Sequence, residues 1–406
     1  MKIISYYTLI LTLITSCELF GSSDSDDDIK GGEVVWRLEN QTERLVSTQP
    51  LIENGRVYFL QDGYLKAYTM EEGNYIWSTQ IAQQSAGDYS RKIISNNEML
   101  FLDQGYNIKA FSKNNGSVLW NTRITDDGQE VAGIGSPIMS QDETYLYAGR
   151  RGYIVKVRKS DGQIAGHYPL DRLVPEDVTQ GSTEPIISPF GDDILYVPAS
   201  YYDRTTPGEE EFGGNMFAFN ANTGEMLWEK HVEYTIADLN NETSNDSLQV
   251  SPPIYDIEIT ESHIIILQGF FISVLDRSNG QMKWFNFFPE SGFDVGLAVQ
   301  VNGVYAASVG SFAHKLDLHT GEELWRRDIR FSNTSIPTVQ NGRLYFNNSG
   351  GGGIWVLDTE DGAVIYNQNT PNYRHDNFDV YISSLGVGEG YMVNVGSKAV
   401  YCLKVP

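Results

Sequence analysis

The chain has 406 residues and a formal net charge of −24, with 53 Asp and Glu against 29 Lys and Arg. No basic stripe interrupts that acidity, so a nucleic acid or an anionic lipid surface is excluded as the primary partner: displacing condensed counterions needs clustered cations. The 39 glycines and 12% aromatics suit many short strands joined by tight turns, and after the first sixteen residues no stretch keeps a 3.6-residue apolar period beyond about two turns.

Residues 1–16 read as a signal peptide. Lys2 supplies a short positive start, residues 3–14 are apolar, and Ile14-Thr15-Ser16-Cys17 resembles a bacterial lipobox, whose Cys is acylated and becomes N-terminal after cleavage. The apolar run is too short for a stable membrane span. Cys17 is therefore the expected lipidation site, and acyl chains would hold the protein at a membrane, each buried methylene contributing roughly 0.8 kcal/mol. Residues 17–31 are expected to form a disordered tether, because Ser22-Ser23-Asp24-Ser25-Asp26-Asp27-Asp28 is acidic and lacks apolar side chains. Acidic residues so close behind a lipidated Cys also resemble the export signals of surface lipoproteins in some Gram-negative lineages. The other cysteine, Cys402, reads as a small buried hydrophobe rather than a disulfide partner.

From residue 32 onward one line recurs. It is seen best at Ala218, Asn220, Gly224 and Trp228: a strand with Phe217 and Phe219 alternating, a turn whose Gly tolerates positive φ, and a second strand ending in an aromatic. The same spacing gives Ala67, Thr69, Gly73 and Trp77; Ala110, Ser112, Gly116 and Trp120; Val274, Asp276, Gly280 and Trp284; and Lys315, Asp317, Gly321 and Trp325. Two copies are degenerate. Lys156, Arg158, Gly162 and Gly166 have lost the aromatic, and Val356, Asp358, Gly362 and Tyr366 keep a smaller one. An eighth copy is split: Gly32 and Trp36 carry its second half, and the strand around Val400 to Lys404, with Cys402 at the Ala position, carries its first.

A sheet-forming unit repeated at roughly 40-residue intervals marks a β-propeller. Residues 32–406 are thus expected to form an all-β, eight-bladed ring. The N-terminal strand should complete the C-terminal blade, which leaves no unpaired edge at the seam. Trp36, Trp77, Trp120, Trp228, Trp284, Trp325 and Tyr366 are expected on outermost strands, packed against the next blade. Truncating one such indole should cost roughly 3 to 5 kcal/mol. Prolines open several blades, at Pro50, Pro137, Pro185, Pro252 and Pro337, where an innermost strand tolerates a missing N–H.

Two insertions break the period, residues 201–214 inside blade four and residues 233–249 between blades four and five. Long connections in a compact ring are often functional. Tyr201, Tyr202 and Phe212, beside Glu209-Glu210-Glu211, combine aromatic anchors with charge and form the candidate partner loop. Residues 373–379 make a third unusual loop. The histidines, His167, His231, His263, His314, His319 and His375, show no metal-ligand spacing. Asp276, Asp317 and Asp358 recur at a turn, where capping is the expected role rather than calcium binding or catalysis. No Ser-His-Asp order or phosphate loop stands out, so no catalytic, metal or cofactor residue is expected.

The repeated Ala, Asp-like, Gly and Trp positions closely resemble the PQQ-like propeller repeat over roughly residues 32–405. That family includes quinoprotein alcohol dehydrogenases and the non-enzymatic BamB-like lipoproteins of the outer-membrane β-barrel assembly machinery. A lipobox, a short linker and one bare ring resemble the latter. The resemblance implies a non-enzymatic, lipid-anchored docking scaffold in the envelope of a Gram-negative bacterium, with a β-barrel assembly subunit as partner. The dehydrogenases commonly carry a vicinal disulfide beside the cofactor, or a haem domain; Cys17 and Cys402 provide neither. A surface-exposed lipoprotein that binds a polymer or small ligand remains open, as does, more distantly, a PQQ-dependent dehydrogenase.

Overall fold

The structure, a computed structural model, describes residues 32–41, 48–81, 92–126, 129–130, 139–150, 153–169, 179–182, 185–203, 211–237, 247–292, 296–307, 312–329, 335–348, 353–368 and 383–406. They form an eight-bladed β-propeller. Blade one shows the plan, with Leu51–Glu53, Arg56–Gln61, Tyr64–Thr69 and Tyr75–Gln80 pairing in that order from the axis outward. Blades two to seven repeat it over residues 94–123, 139–169, 179–232, 256–287, 297–328 and 338–368, with a fifth strand in the blade of residues 179–232. In blade eight, Gly386–Gly388, Tyr391–Val395 and Ala399–Lys404 come from the C-terminus. The outermost strand, Val34–Glu39, comes from the other end of the chain, with Trp36 opposite Cys402 and Arg37 opposite Tyr401. The expected closure is therefore what the chain adopts.

The core lies between blades. Inner strands are short because they converge on the axis, and there glycine replaces bulk: a Cβ on Gly386 would meet the Pro50 carbonyl at 2.5 Å. Second and third strands are almost wholly buried, and their apolar faces fill the gaps between neighbouring sheets. Pro50 and Pro337 sit immediately before the inner strands Leu51–Glu53 and Thr338–Gln340, where no ladder N–H is needed. Pro137 lies outside the described residues.

Each outermost aromatic sits on the turn glycine of the following blade. Trp36 donates its indole N–H to Met70 O at 2.7 Å, Trp77 to Lys113 O at 2.9 Å, Trp120 to Lys159 O at 2.8 Å, Trp284 to Leu318 O at 2.9 Å and Trp325 to Thr359 O at 3.2 Å. Every acceptor is three residues before the turn glycine, so one geometry serves these five junctions. Trp228 packs over Gly280 without such a bond, 3.0 Å from where a Cβ would stand. Tyr366 closes the series, its phenol oxygen accepting the Gly32 N–H.

Blade three departs from the pattern. Gly166 stands where the indole should be, and Tyr168, two residues on, reaches over Gly224 and donates to Ala221 O at 2.7 Å. The acceptor is again three before the glycine. A phenol on the next outward-facing position thus substitutes for the missing indole, a compensation that the repeat spacing did not reveal.

Candidate docking face

Antiparallel blades sort their connections onto two faces. Turns between first and second strands, and between third and fourth, fall on one face; turns between second and third strands, and the blade-to-blade connections, fall on the other. The first face carries no hairpin extension among the described residues. Asn54 and Gly55 (φ 53° and 69°) make a two-residue turn, as do Asn341 with Gly342 and Glu389 with Gly390. The third-to-fourth turns are capped from the repeat's Asp-like position: Asp317 Oδ1 accepts from the N–H groups of His319 and Thr320, Asp276 Oδ1 from Ser278, Asp358 Oδ1 from Glu360, and Asn220 Oδ1 from Asn222 and Thr223. These hydrogen bonds hold the Asp317 carboxyl below its usual range, and Lys283 with Ser278 brings Asp276 down to about 2. The aspartates are turn caps.

The second face carries every hairpin extension among the described residues. Thr125–Asp126 pairs with Gln129–Glu130 between blades two and three. In blade four the second and third strands, Ile194–Asp203 and Glu211–Asn220, are ten residues each and rise past their neighbours. Tyr201 stands opposite Gly213 and Tyr202 opposite Phe212, while Thr179–Ser182 pairs along the other edge of Ala199 to Tyr202. The stretch expected as a loop is therefore in good part a lengthened sheet, and Tyr201, Tyr202 and Phe212 belong to its strands. The alternation that continues through Tyr201 and Tyr202 was the available signal for this.

The second insertion is also a hairpin, Tyr234–Ala237 with Ser247–Val250. Its root is bolted to blade five. The Tyr234 hydroxyl donates to Gln268 Oε1 and lies 2.9 Å from Ser273 Oγ, and its ring stacks on Phe271 at 4.2 Å between centroids and 3° between planes. Ser251 Oγ donates to Val232 O at 2.6 Å and accepts the Gly214 N–H at 3.1 Å, which ties the hairpin to the lengthened sheet. Burial pushes the Tyr234 phenol well above its usual pKa, so it stays a neutral donor. Two adjacent hairpins on fixed roots make a rigid platform at blades four and five.

Along the axis, a cavity of about 230 Å³ is lined by Gln49, Lys92, Glu258 and Thr338 on its polar side and by Leu297 and Ile336 among its apolar ones. Gln49 Nε2 donates to Leu385 O at 2.6 Å.

Two buried polar groups escaped the sequence reading. Arg150 holds Asp103 bidentately at 2.7 and 3.1 Å between blades two and three, both side chains fully buried, and burial pushes the Asp103 carboxyl up against the pull of the guanidinium. Ser291 Oγ lies 3.3 Å from His314 Nε2, whose Nδ1 is 2.9 Å from Glu323 Oε2. This is the order of a hydrolase triad. Ser291 and His314 are buried, however, so the trio fastens the connection after blade five to the third strand of blade six. Burial keeps the His314 imidazole below its usual pKa despite the Glu323 hydrogen bond. No local motif could disclose it, because a connection and two strands of the next blade supply the groups.

Of the other histidines, His231 Nδ1 lies 2.8 Å from Asn215 Oδ1, and His263 meets His319 ring to ring at 5.5 Å. Among the described residues no three His, Cys, Asp or Glu are placed to hold a metal ion. Cys402 is buried and unpaired. Cys17, His375 and residues 373–379 lie outside the described residues.

The profile of the family described as outer membrane protein assembly factor BamB matches residues 26–232 and 268–400. The chain belongs to this family. The chain is 22% identical over 385 residues to the BamB of Yersinia pestis, covering 88% of this chain and 89% of that one. The crystal structure of BamB from Moraxella catarrhalis superposes with a TM-score of 0.61 at 13% identity, over 92% of this chain and 97% of that one. A europium-containing methanol dehydrogenase superposes at 0.66 and 13% identity, over 92% and 93%. The BamB ring and the enzyme ring are thus one fold, and the fold by itself does not separate scaffold from catalyst.

Proposed function

We propose that this chain is a lipid-anchored, non-enzymatic scaffold of the Gram-negative outer membrane that assists assembly of β-barrel proteins. Cys17 would carry the acyl chains, and the hairpin face would dock a barrel-assembly subunit. Membership of the BamB family carries this reading, and the relative's description as an outer membrane protein assembly factor supports it. The platform at blades four and five adds a physical reason: strands held by backbone pairing present backbone groups at little ordering cost on binding. Tyr201, Tyr202 and Phe212 are the residues proposed to contact the partner.

The test is capture of partners from detergent-solubilised outer membrane by the acylated full-length chain, read by mass spectrometry. A barrel-assembly subunit should be recovered. Replacing Tyr201, Tyr202 and Phe212 together by Ala should abolish recovery while circular dichroism stays unchanged. Recovery of no such subunit by the full-length chain would sink the proposal.

The acidic run Asp24 to Asp28 behind Cys17 favours a second reading, a surface-exposed lipoprotein that binds a polymer or small ligand. Digestion of the ring by protease added to intact cells would favour it over the first.

A further inference from the structure

The cavity on the axis gathers its lining from the innermost segments of five blades. Gln49 and Lys92 precede the first strands of blades one and two, and Glu258 lies in Asp256–Ile259 of blade five. Leu297 opens the first strand of blade six, and Ile336 and Thr338 stand before and within Thr338–Gln340 of blade seven. Among the described residues Lys92 and Glu258 are its charged lining groups, and they are opposite in sign. Blades two and five are three places apart in a ring of eight, so the cation and the anion come from roughly opposite sides of the axis. Passing round the ring from Glu258 toward Lys92, blades six and seven supply the apolar wall at Leu297 and Ile336.

That wall is stiff. Asp256, two residues before Glu258 and on the same face of its strand, accepts the Leu297 N–H on Oδ2 at 2.8 Å. A Cβ on Gly296 would stand 2.9 Å from both that oxygen and Ile336 Cγ1, which packs blades five, six and seven tightly together. The Ile336 N–H donates in turn to Ser384 Oγ at 2.9 Å, and Gln49 Nε2 lies 3.4 Å from Thr338 Oγ1. Groups held this way bind at little ordering cost.

Size and charge select the ligand. A volume of about 230 Å³ falls below the roughly 300 to 1,000 Å³ of sites for drug-sized molecules, so the ligand is a small one. The chain's net charge of −24 disfavours a net anion, and a net cation would be opposed by Lys92. We propose that the axial cavity binds a small zwitterion with an apolar side chain, of the class of the neutral α-amino acids. Its carboxylate meets Lys92 Nζ, its ammonium meets the Glu258 carboxylate, and its side chain lies against Leu297 and Ile336. This site stands whether or not the anchoring and docking proposed above hold.

Isothermal titration of the purified full-length chain with L-leucine, L-leucinamide and isocaproate tests it. Leucinamide is leucine without the carboxylate charge, and isocaproate is leucine without the ammonium. Leucine should bind, and each analogue should bind at least about tenfold more weakly, because each gives up one charge-assisted hydrogen bond. In Lys92→Met the preference for leucine over leucinamide should disappear while the preference over isocaproate persists; in Glu258→Gln the reverse should hold. The unsubstituted chain decides the matter even where a variant folds poorly. No heat from leucine at millimolar concentration, or equal binding of the three ligands, would overturn the proposal and leave Lys92 and Glu258 as the walls of a hydrated channel.

Discussion

Trp36 and Gly73 belong to different blades, yet a Cβ on Gly73 would stand 2.6 Å from the indole Cγ of Trp36. The contact joins the N-terminal strand of blade eight to blade one, and the same contact recurs around the ring. Glycine is needed there twice over, for φ of +64° and for the space.

Those two demands separate by mutation. Gly55 has φ of +69° and nothing within 4 Å of its would-be Cβ, so Gly55→Ala meets backbone strain alone and should cost about 1 kcal/mol. Gly73→Ala adds displacement of a buried ring and should cost about 2 to 4 kcal/mol. Denaturant midpoints of the two variants measure the difference; equal shifts would mean the indole contact carries no weight.

Trp36→Ala should lose about 3 to 5 kcal/mol, because it removes both the packing on Gly73 and the bond to Met70 O. Trp36→Phe keeps a ring and loses the bond, so a loss nearer 1 to 2 kcal/mol is expected. Since this strand seals the ring, the Ala variant should also expose the edge of Ala399–Lys404 and aggregate on heating, which light scattering would register.

Val301 turns the chain at φ of 52° with its side chain 84% exposed. A β-branched residue is poorly suited to that conformation and gains nothing from packing there. Val301→Asn should stabilise the protein by about 1 kcal/mol, raising the thermal midpoint.

Asp276 is depressed to about 2 by Lys283 and Ser278. A carboxyl that is more acidic folded than unfolded adds stability that is present above pH 4 and lost as pH falls through about 2. The exposed setting limits the gain to below about 1 kcal/mol. Asp276→Asn should therefore lower the thermal midpoint slightly at pH 6, and the gap to the parent should close by pH 2.

Burial pushes the Cys402 thiol up to about 12. A Cys17→Ser variant should leave an aromatic disulfide reagent unreacted at pH 8 while folded, and consume one equivalent in denaturant. Rapid reaction of the folded form would show that blade eight opens.

The ring was legible in the residues because its determinants are local. A capping side chain, a glycine four residues before an aromatic and a strand period of two all lie within fifteen positions of one another, and repetition turned a weak signal into a strong one. The split copy at Trp36 and Cys402 disclosed closure for the same reason: half a unit at each end has only one way to bury its edge. Tyr201, Tyr202 and Phe212 were located as an insertion but misjudged in form: the two strands pair with each other across the insertion, and Thr179–Ser182, further back in the chain, pairs along the edge of Tyr201 and Tyr202.

Side-chain partnerships between blades were beyond the amino-acid order. Tyr168 reaching over Gly224, Arg150 closing on Asp103, and Ser291 meeting His314 and Glu323 each join residues whose separation follows no period. The same holds for the division into a plain face and a hairpin-bearing one. A repeat specifies what each blade looks like, through hydrogen bonds a few residues long. Only the folded ring, by aligning eight blades in one sense, decides that every hairpin extension among the described residues falls on one side.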